Sequence, residues 1–427
     1  MKVTSSSGFL EEYLSLIVRR GRSKSSSVME DVRNIIESVK KDGDEALLNY
    51  TLKFDGVNLR GKGFEVPESK FVEARNKLTK KEIEALKFAA GNILNFHKVQ
   101  IPKDIIFSPL KGVELRQKHV PLESVGVYAP GGLAPYPSTV LMCTIPARVA
   151  GVKNVVLCSP PSVNGEVDPR ILVAAEIAGA DKVYSVGGAQ AVAALAYGTE
   201  SIPKVDKIVG PGNIFVETAK LMVSMDVAVD LPAGPSEIVI IADEYANPNF
   251  IAFDLLAQAE HDMNVLAVLL TDSRCLAEVV QGIVEAQLAK ISRRSTVEKA
   301  LETNGFIIIL QDLDEAVDLV NQIAPEHVEV LTQNPTPIVE RIRNVGSIFI
   351  GEHSPAVLGD YSSGLNHVLP TGGYARTFSP LSVRDFMKTF NILECSRDGL
   401  YALRDVTIEL ARMEGMYAHA KAIEVRG

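Results

Sequence analysis

Apolar residues recur along this chain with two different periods. Near both ends they fall at steps of three and four, the spacing of an amphipathic helix. Residues 25–56, 68–97 and 381–427 follow that pattern, and the first of these segments begins with a serine run suited to helix capping. From about residue 124, short β-branched runs alternate with helical segments. The pattern predicts helical ends around a long α/β middle.

The α/β middle contains two successive groups of predicted strands. The first group reads VGVYAP, NVVLCSP, KVYSVGG and KIVGPGN, and an apolar helical run follows each strand. The second begins at residue 237 and reads EIVIIAD, NVLAVLLTDS, FIIILQD, HVEVLT and GSIFIG, with helices predicted around 247–261, 273–290, 313–323 and 335–343. Strands that alternate with helices form parallel, doubly wound sheets. The sequence therefore predicts an α/β fold with two parallel sheets in tandem.

Composition and charge narrow the class of protein. The 427 residues are 46% hydrophobic and 23% charged, which is typical of soluble globular chains. The formal net charge is −9 and long basic runs are absent, so we expect no nucleic-acid partner. No apolar window approaches the roughly 18 residues that span a bilayer, and the N-terminus lacks the apolar core of a signal peptide. We therefore expect no membrane association.

The four cysteines indicate a reducing compartment. None lies in a C-x-x-C pair, which argues against a zinc knuckle or a redox motif. Cys143 and Cys158 lie in apolar runs that predict buried thiols, and we expect no disulfides. These features predict a cytoplasmic protein.

Loops of small residues end several predicted strands: YAPGG (128–132), GGAQ (187–190), GPGN (210–213) and LPAGPSE (231–237). Doubly wound sheets bind ligands beyond the carboxyl ends of their strands, and glycine lets a ligand approach the backbone closely. The loops thus indicate a dinucleotide or nucleotide site, although ordinary strand-to-helix turns have the same composition. Neither G-x-G-x-x-G nor G-x-x-x-x-G-K-[ST] occurs in the sequence.

The stretch LLAQAEHD at residues 255–262 carries Gln258 and His261 at a predicted helix end. Their spacing of three puts both side chains on one helix face, and Asp254 lies on the same stripe. Imidazole suits zinc, and carboxylate or amide oxygen can complete a four-ligand set, with Asp254 as a ligand or an outer partner. Glutamine is an uncommon zinc ligand, and a solvated helix end would explain the same residues.

Glu326 and His327 begin a predicted strand and supply two proton carriers of different pKa. Adjacent residues of a strand point to opposite faces, so we expect the pair to serve different steps rather than share a proton. A strand edge with two polar residues is the alternative interpretation.

Two further histidines stand close to carboxylates in the sequence. His367 follows Asp360 in a loop rich in glycine, serine and asparagine. His419 lies in the last predicted helix, five residues after Glu414. Each pair offers an acid–base or ligand function, although a single histidine is more often a surface or core residue.

These segments, considered in order, resemble the signature segments of the histidinol dehydrogenase family. The matching segments are LPAGPSEIVIIAD, LLAQAEHD, APEHVEV, GDYSSGLNHVLPTGGYAR and EGMYAHA, together with YAPGGLAPYPSTVLM, GGAQAVAALAYGTE and GPGN. The similarity runs from about residue 25 to the C-terminus, and the motifs are long and specific.

The resemblance implies two incomplete Rossmann-like domains with helical N- and C-terminal segments. Residues 25–124 and 237–380 would form the first, discontinuous domain, and residues 125–236 would form the second, which binds NAD. Residues 1–24 would be a helical segment, and residues 381–427 would be a helical segment that reaches the partner subunit. The family's sheets depart from the full dinucleotide fold, so the absence of G-x-G-x-x-G is expected.

The resemblance also implies a reaction: oxidation of L-histidinol through L-histidinal to L-histidine with two NAD+, the last steps of histidine biosynthesis. The active site would be shared within a homodimer. Zinc ligands would be Gln258, His261, Asp360 and His419 of the partner subunit.

The same resemblance assigns roles to the remaining residues. His327 would be the general base that takes the alcohol proton, and Glu326 would activate water in the second oxidation. Substrate contacts would involve the zinc ligands and His327 together with Ser236, His367 and Glu414. Contacts with NAD+ would involve Tyr128, Gln190 and Asn213.

Two other functions are compatible with the sequence. A related dehydrogenase could keep the metal site and act on another amino alcohol or a sulfonated diol. A nucleotide-binding or scaffolding protein could keep the fold without chemistry, and it would hold no metal. The intact set of ligand and acid–base residues favours an active enzyme.

Overall fold

The computed structural model describes residues 1–10, 12–13, 26–131, 135–231 and 233–426. The helices are α1 (Ser26–Asp55), α2 (Glu68–Lys77), α3 (Lys80–Lys98), α4 (Pro137–Ala150), α5 (Pro169–Ala178), α6 (Gly188–Tyr197), α7 (Ile214–Val223), α8 (Pro248–Ala259), α9 (Arg274–Leu288), α10 (Arg294–Asn304), α11 (Leu313–Ile323), α12 (Thr336–Val339), α13 (Ala356–Tyr361), α14 (Arg397–Met413) and α15 (Tyr417–Glu424). The strands are β1 (Lys2–Thr4), β2 (Ile105–Leu110), β3 (Val113–Pro121), β4 (Ser124–Tyr128), β5 (Asn154–Ser159), β6 (Lys182–Ser185), β7 (Lys207–Val209), β8 (Ala228–Val229), β9 (Glu237–Ala242), β10 (Leu266–Thr271), β11 (Gly305–Ile309), β12 (His327–Leu331), β13 (Ser347–Ile350) and β14 (Met387–Cys395).

The first group of predicted strands forms a five-stranded sheet in the order β6-β5-β4-β7-β8. All its strand pairs are parallel, as the alternation of strands and helices predicted. The strands are apolar on both faces because helices cover both sides. One face packs against α4 and α5, and the other packs against α6 and α7.

The second group forms a six-stranded sheet in the order β1-β11-β10-β9-β12-β13. Its strand pairs are also parallel, so the predicted pair of α/β sheets is confirmed. The edge strand β1 was not predicted, because we expected residues 1–24 to be helical. Its three residues are too short to show a period, and pairing with β11 stabilises the strand. Helical structure follows at residues 6–10, and residues 14–25 lie outside the described residues.

The helices α1 to α3 pack on the five-stranded sheet. Apolar residues of α1 join the core beside α6, and those of α3 join the core beside α4 and β4. This packing departs from the predicted grouping of residues 25–124 with 237–380. The reason is physical: the apolar stripe of a helix shows that the helix is buried, but it does not show which sheet buries it. The domain boundaries remain a prediction.

A three-stranded antiparallel sheet in the order β14-β3-β2 was missed. In the segment that we predicted to be helical from residue 381, a short 3-10 helix (Val383–Phe386) leads into β14, and α-helix begins only at α14. Most side chains of β2 and β14 are exposed, so burial leaves little pattern in the sequence. The strand forms because β3, about 270 residues earlier, offers a partner along its whole length.

The chain passes directly from the end of β8 to the start of β9 through residues 230–236. Both sheets are parallel throughout, so this link joins the carboxyl edge of the five-stranded sheet to the amino edge of the six-stranded sheet. The two edges therefore face a common space. Among the described helices, none combines the length and apolarity needed to cross a bilayer.

The centre of the six-stranded sheet supports the whole second half of the fold. Leu269 on β10 is fully buried between its neighbours. We expect Leu269→Ala to lower the free energy of unfolding by about 2–5 kcal/mol, because it leaves a cavity that packed helices cannot close. Urea unfolding followed by circular dichroism measures the change. The control is Leu52→Ala on α1, where the side chain is half exposed and the loss should stay near zero; equal losses would contradict the placement of the core.

Candidate active site

A cleft of about 530 Å³ opens between the start of α4 and the amino edge of the six-stranded sheet. Residues from α4, α8, β12 and α13 line it, so both sheet units contribute. The predicted ligand residues Gln258, His261 and Asp360 share this cleft. Asp254, Arg293 and Glu329 line it as well. The structure thus brings together, across about 100 residues of sequence, three of the side chains that the resemblance assigned to zinc.

His327 and Glu326 meet at the backbone of Glu237. The Nδ1 atom of His327 lies 3.1 Å from the carbonyl oxygen of Glu237, and the N–H of Glu237 donates to Oε2 of Glu326 at 2.9 Å. A carbonyl oxygen only accepts hydrogen bonds, so Nδ1 carries the ring hydrogen and Nε2 is left as the basic nitrogen. Both side chains are almost fully buried.

The expectation that these two neighbours point to opposite faces is wrong. His327 Nδ1 and Glu326 Oε2 lie 3.6 Å apart. Strand β12 begins at His327, so Glu326 stands in the preceding loop, where the alternation of an extended strand does not apply. The two groups are close enough to influence each other's charge directly.

Asp360 and His367 close the other side of His327. Asp360 lies near the end of α13, with Oδ1 at 3.6 Å from His327 Nε2. His367 Nδ1 donates to the carbonyl oxygen of Asp360 at 2.9 Å, and its Nε2 lies 3.2 Å from Oγ1 of Thr139 on α4. His367 therefore connects the end of α13 to α4 of the other sheet unit.

Burial and charge set the protonation of this group. Burial disfavours the imidazolium of His327, but the charges of Glu326 and Asp360 outweigh it and raise the His327 pKa to about 9. Burial raises the pKa of Glu326 to about 7. Burial also opposes the charge of Asp360, yet contact with His327 holds that carboxyl's pKa below its ordinary value. Without a ligand, His327 carries a proton between two carboxyl groups.

Gln258 and His261 come from the end of α8. Asn247 caps the start of this helix through its side chain, and Pro248 occupies the first turn. The helix ends at Ala259, so His261 stands just beyond it, and its N–H donates to the carbonyl of Gln258 at 3.2 Å. This turn, rather than a shared helix face, keeps both side chains at the cleft.

The donors in the cleft suit a metal ion. Burial lowers the pKa of His261, so its imidazole is neutral and can act as a ligand. In the described part of the chain, hydrogen bonds engage the side chain of neither Gln258 nor His261. However, the described residues contain no group of three or more His, Cys, Asp or Glu side chains arranged to hold a metal. One of the predicted ligands is an amide, and another, His419, lies elsewhere, so the described cleft holds three of the four predicted ligands.

The cleft also contains two buried carboxyl groups, of which Asp254 was identified from the sequence but Glu329 was not. Asp254 and Glu329 line the same cleft, and burial raises the pKa of both. Glu329 accepts from the N–H of Ala356, the first residue of α13, at 2.6 Å. The sequence offered one signal: Glu329 stands two residues after His327, hence on the same face of β12. The pair connects α8, β12 and α13.

Two predicted site residues lie apart from the cleft. Glu414 and His419, at the end of α14 and on α15, are exposed. These helices pack on each other and follow β14, away from the six-stranded sheet. Within the described chain, therefore, neither residue reaches Gln258 or Asp360.

The residues assigned to NAD stand at the carboxyl edge of the five-stranded sheet. Tyr128 ends β4, and its buried hydroxyl accepts from the N–H of Gly188 at 3.2 Å. Gln190 on α6 is buried, and its Oε1 lacks a hydrogen-bond partner among the described residues. Asn213 is exposed and caps α7 through the N–H groups of residues 215 and 216.

Ser236, which precedes β9, is partly buried. Gly132 and Pro232 of the predicted loops lie outside the described residues.

Comparisons with known proteins identify the family of this chain. A family model described as histidinol dehydrogenase matches residues 18–427. Histidinol dehydrogenase from Methanosarcina barkeri is 49% identical over 400 residues, which cover 93% of this chain and 92% of that protein. Its counterpart from Methanothermobacter thermautotrophicus is 47% identical over 426 residues, which cover 100% and 99% of the two chains.

A solved structure gives the same result. The crystal structure of histidinol dehydrogenase from Elizabethkingia anophelis has a TM-score of 0.94 and 38% sequence identity, and the match covers 100% of this chain and 97% of that one. The resemblance seen in the sequence is therefore confirmed. This chain belongs to the histidinol dehydrogenase family, oxidoreductases of histidine biosynthesis.

Proposed function

We propose that this protein oxidises L-histidinol through L-histidinal to L-histidine with two NAD+ at a zinc site. One observation carries the proposal: His327 stands between Glu326 and Asp360, and Asp360 shares a cleft with Gln258 and His261. A proton acceptor thus lies beside a set of metal donors, in a chain of the histidinol dehydrogenase family.

Gln258, His261 and Asp360 would hold the zinc ion, with His419 of the partner subunit as the fourth protein ligand. Zinc, when bound, would act as a redox-inert Lewis acid that holds nitrogen atoms of the substrate. The neutral state of His261 supports this assignment, because only an unprotonated imidazole can be a ligand. If Asp360 binds the metal, its charge would interact less with His327. The pKa of that imidazole would then fall towards the range of a general base.

His327 would accept the proton of the alcohol. The bond between Nδ1 and the carbonyl of Glu237 fixes the ring and directs Nε2 towards Asp360 and the cleft. Glu326 would take a proton from water in the second oxidation. Its pKa of about 7 suits that task, because the group can be unprotonated near neutral pH and still bind a proton.

The remaining contacts follow the two sheet edges. Ser236 and His367 would contact the substrate, and Glu414 of the partner subunit would bind its cationic amine. NAD+, when bound, would supply the hydride acceptor for both oxidations. Tyr128, Gln190 and Asn213 would contact it at the carboxyl edge of the five-stranded sheet. A cytoplasmic location suits a biosynthetic enzyme of this kind.

The proposal includes a homodimer with a shared active site. The C-terminal arm, α14 and α15, exposes Val406, Leu410, Met413 and Tyr417, each with more than half of its side chain in contact with solvent. Exposed apolar residues grouped on one element are typical of an interface. A second copy that covers this arm would also bring Glu414 and His419 to a cleft that lacks them.

The reaction itself can be measured directly. We expect purified, zinc-loaded protein to form two NADH for each L-histidinol consumed, because both oxidations would occur at one site, and the product should be L-histidine by chromatography. Other amino alcohols and sulfonated diols serve as comparison substrates. Faster turnover of one of them than of L-histidinol would assign a different substrate, and no turnover of any would favour a protein without chemistry.

Replacement of the proposed base should separate chemistry from metal binding. We expect His327→Gln to lower kcat by about 10²–10⁴-fold, because the variant lacks a proton acceptor in the cleft. Zinc content, measured by elemental analysis, should stay at the wild-type level. Loss of zinc from this variant would instead place His327 among the metal ligands.

His261→Asn is the matched comparison for that variant. It removes an imidazole that would be a ligand, so zinc content should fall together with activity. A His261→Asn protein that retains wild-type zinc would contradict the assigned ligand set.

A shared site can be tested by mixing two inactive variants. His261→Asn damages the cleft, and His419→Ala damages the arm. If one subunit completes the site of the other, half of the randomly mixed dimers contain both variants and each keeps one intact site of two. We therefore expect co-expression to restore roughly a quarter of wild-type activity. A mixture as inactive as either variant alone would show that each chain builds its own site.

A further inference from the structure

A buried ionic cluster lies behind the loops at the carboxyl edge of the five-stranded sheet. Lys220 and Glu217 come from α7, and Asp230 follows β8. Their side chains are 3%, 8% and 1% exposed, respectively. The Nζ atom of Lys220 lies 2.5 Å from Asp230 Oδ1 and 3.2 Å from Glu217 Oε1. The three groups form one connected unit away from solvent.

The cluster holds the backbone of the GPGN loop at residues 210–213. Asp230 Oδ2 accepts from the N–H of Gly210 at 2.7 Å, and Lys220 donates to the carbonyl of the same residue at 3.0 Å. Glu217 Oε1 accepts from the N–H of Gly212 at 3.1 Å. Three polar backbone groups of one loop are thus bound by three different side chains.

The same cluster reaches the loop that leads into the six-stranded sheet. Glu217 Oε2 accepts from the N–H of Ala233 at 3.4 Å. The next residue, Gly234, donates to Oγ1 of Thr371 at 2.6 Å, in the loop that follows His367. Glu217 therefore bridges the loop after β7 and the loop before Ser236.

Stability alone does not explain these charges. The attraction between two buried charges offsets little more than the free energy that their desolvation costs. A protein with apolar residues of the same size in their place is often as stable. Helix α5, in the same sheet unit, buries only apolar side chains. Helix α7, by contrast, buries Glu217 and Lys220, and both side chains bind loop backbone groups.

We propose that Lys220, Glu217 and Asp230 are positioning residues that hold the 210–213 loop in the geometry that binds the dinucleotide. The inference rests on the proposed function, in which Asn213 of this loop contacts NAD+. The loop packs closely against β4: Gly210 has φ of +114°, and a Cβ there would lie 2.1 Å from the carbonyl oxygen of Tyr128. Without the cluster, the backbone groups of Gly210 and Gly212 would form hydrogen bonds with other partners, and the loop would change its conformation.

The sharpest single test is Glu217→Gln. The amide keeps the size of the side chain and leaves Lys220 paired with Asp230, but only one of its two terminal atoms can still accept from a loop N–H. We expect the Kd for NAD+, measured by calorimetric titration of the zinc-loaded protein, to rise about five- to tenfold. The kcat at saturating NAD+ should stay within about twofold, and zinc content should not change.

A second pair of variants separates positioning from folding. Lys220→Met leaves two carboxyl groups without their cation, so both thermal stability and NAD+ affinity should fall. The triple variant Glu217→Gln, Lys220→Met and Asp230→Asn removes the buried charges together, so its melting temperature should recover while NAD+ binding stays weak. Lys207→Met is the comparison for a lost buried lysine, because Lys207 donates to the carbonyl of Asp385 rather than to either loop, although its charge also acts on Asp230. Its NAD+ affinity should fall less than that of Lys220→Met.

The outcomes distinguish this inference from the proposed function. Wild-type protein that neither binds NAD+ nor forms NADH would overturn the proposed function itself. Active wild-type protein whose Glu217→Gln variant binds NAD+ as tightly as before would overturn the positioning role. Recovery of NAD+ affinity together with stability in the triple variant would also overturn it, because the cluster would then serve folding alone.

Discussion

The site depends on the parallel pairing of β9 with β12. That pairing sets His327 beside Ile238, so the backbone of Glu237 meets two side chains that lie about 90 residues later in the chain. One peptide N–H orients Glu326, and one carbonyl fixes the tautomer of His327. A slip of one residue in this register would turn His327 away from Asp360 and break both contacts. The proposed chemistry therefore rests on the register of two buried central strands.

The direct connection from β8 to β9 determines which edges of the two sheets lie next to each other. It sets the carboxyl edge of one parallel sheet against the amino edge of the other. The first edge carries the glycine-rich loops proposed for NAD+, which follows the usual rule for doubly wound sheets. The second edge carries His327 and lies beside Gln258 and Asp360. Ligands that bind at the two edges would meet in the space between them.

Sequence reasoning worked where the local pattern carried the information. The strands of both parallel sheets were predicted because a strand that is buried on two faces has a continuous run of apolar residues. Gln258 and His261 are close in sequence, and the turn after α8 keeps them together. It failed where the partner decides the structure. Strand β14 forms because β3 is available, and α1 packs on the sheet that happens to be next to it. The face of Glu326 was misjudged because the alternation of a strand was applied to a residue that precedes the strand.

The central claim is that the cleft of Gln258, His261 and Asp360 holds a zinc ion on which the oxidation depends. The most direct measurement follows zinc content and histidinol-dependent NADH formation in one sample, before chelation, after chelation and after zinc is returned. The account predicts about one zinc ion per chain, with activity that disappears and returns in proportion to the metal. Metal-free protein that oxidises L-histidinol at the full rate would contradict it.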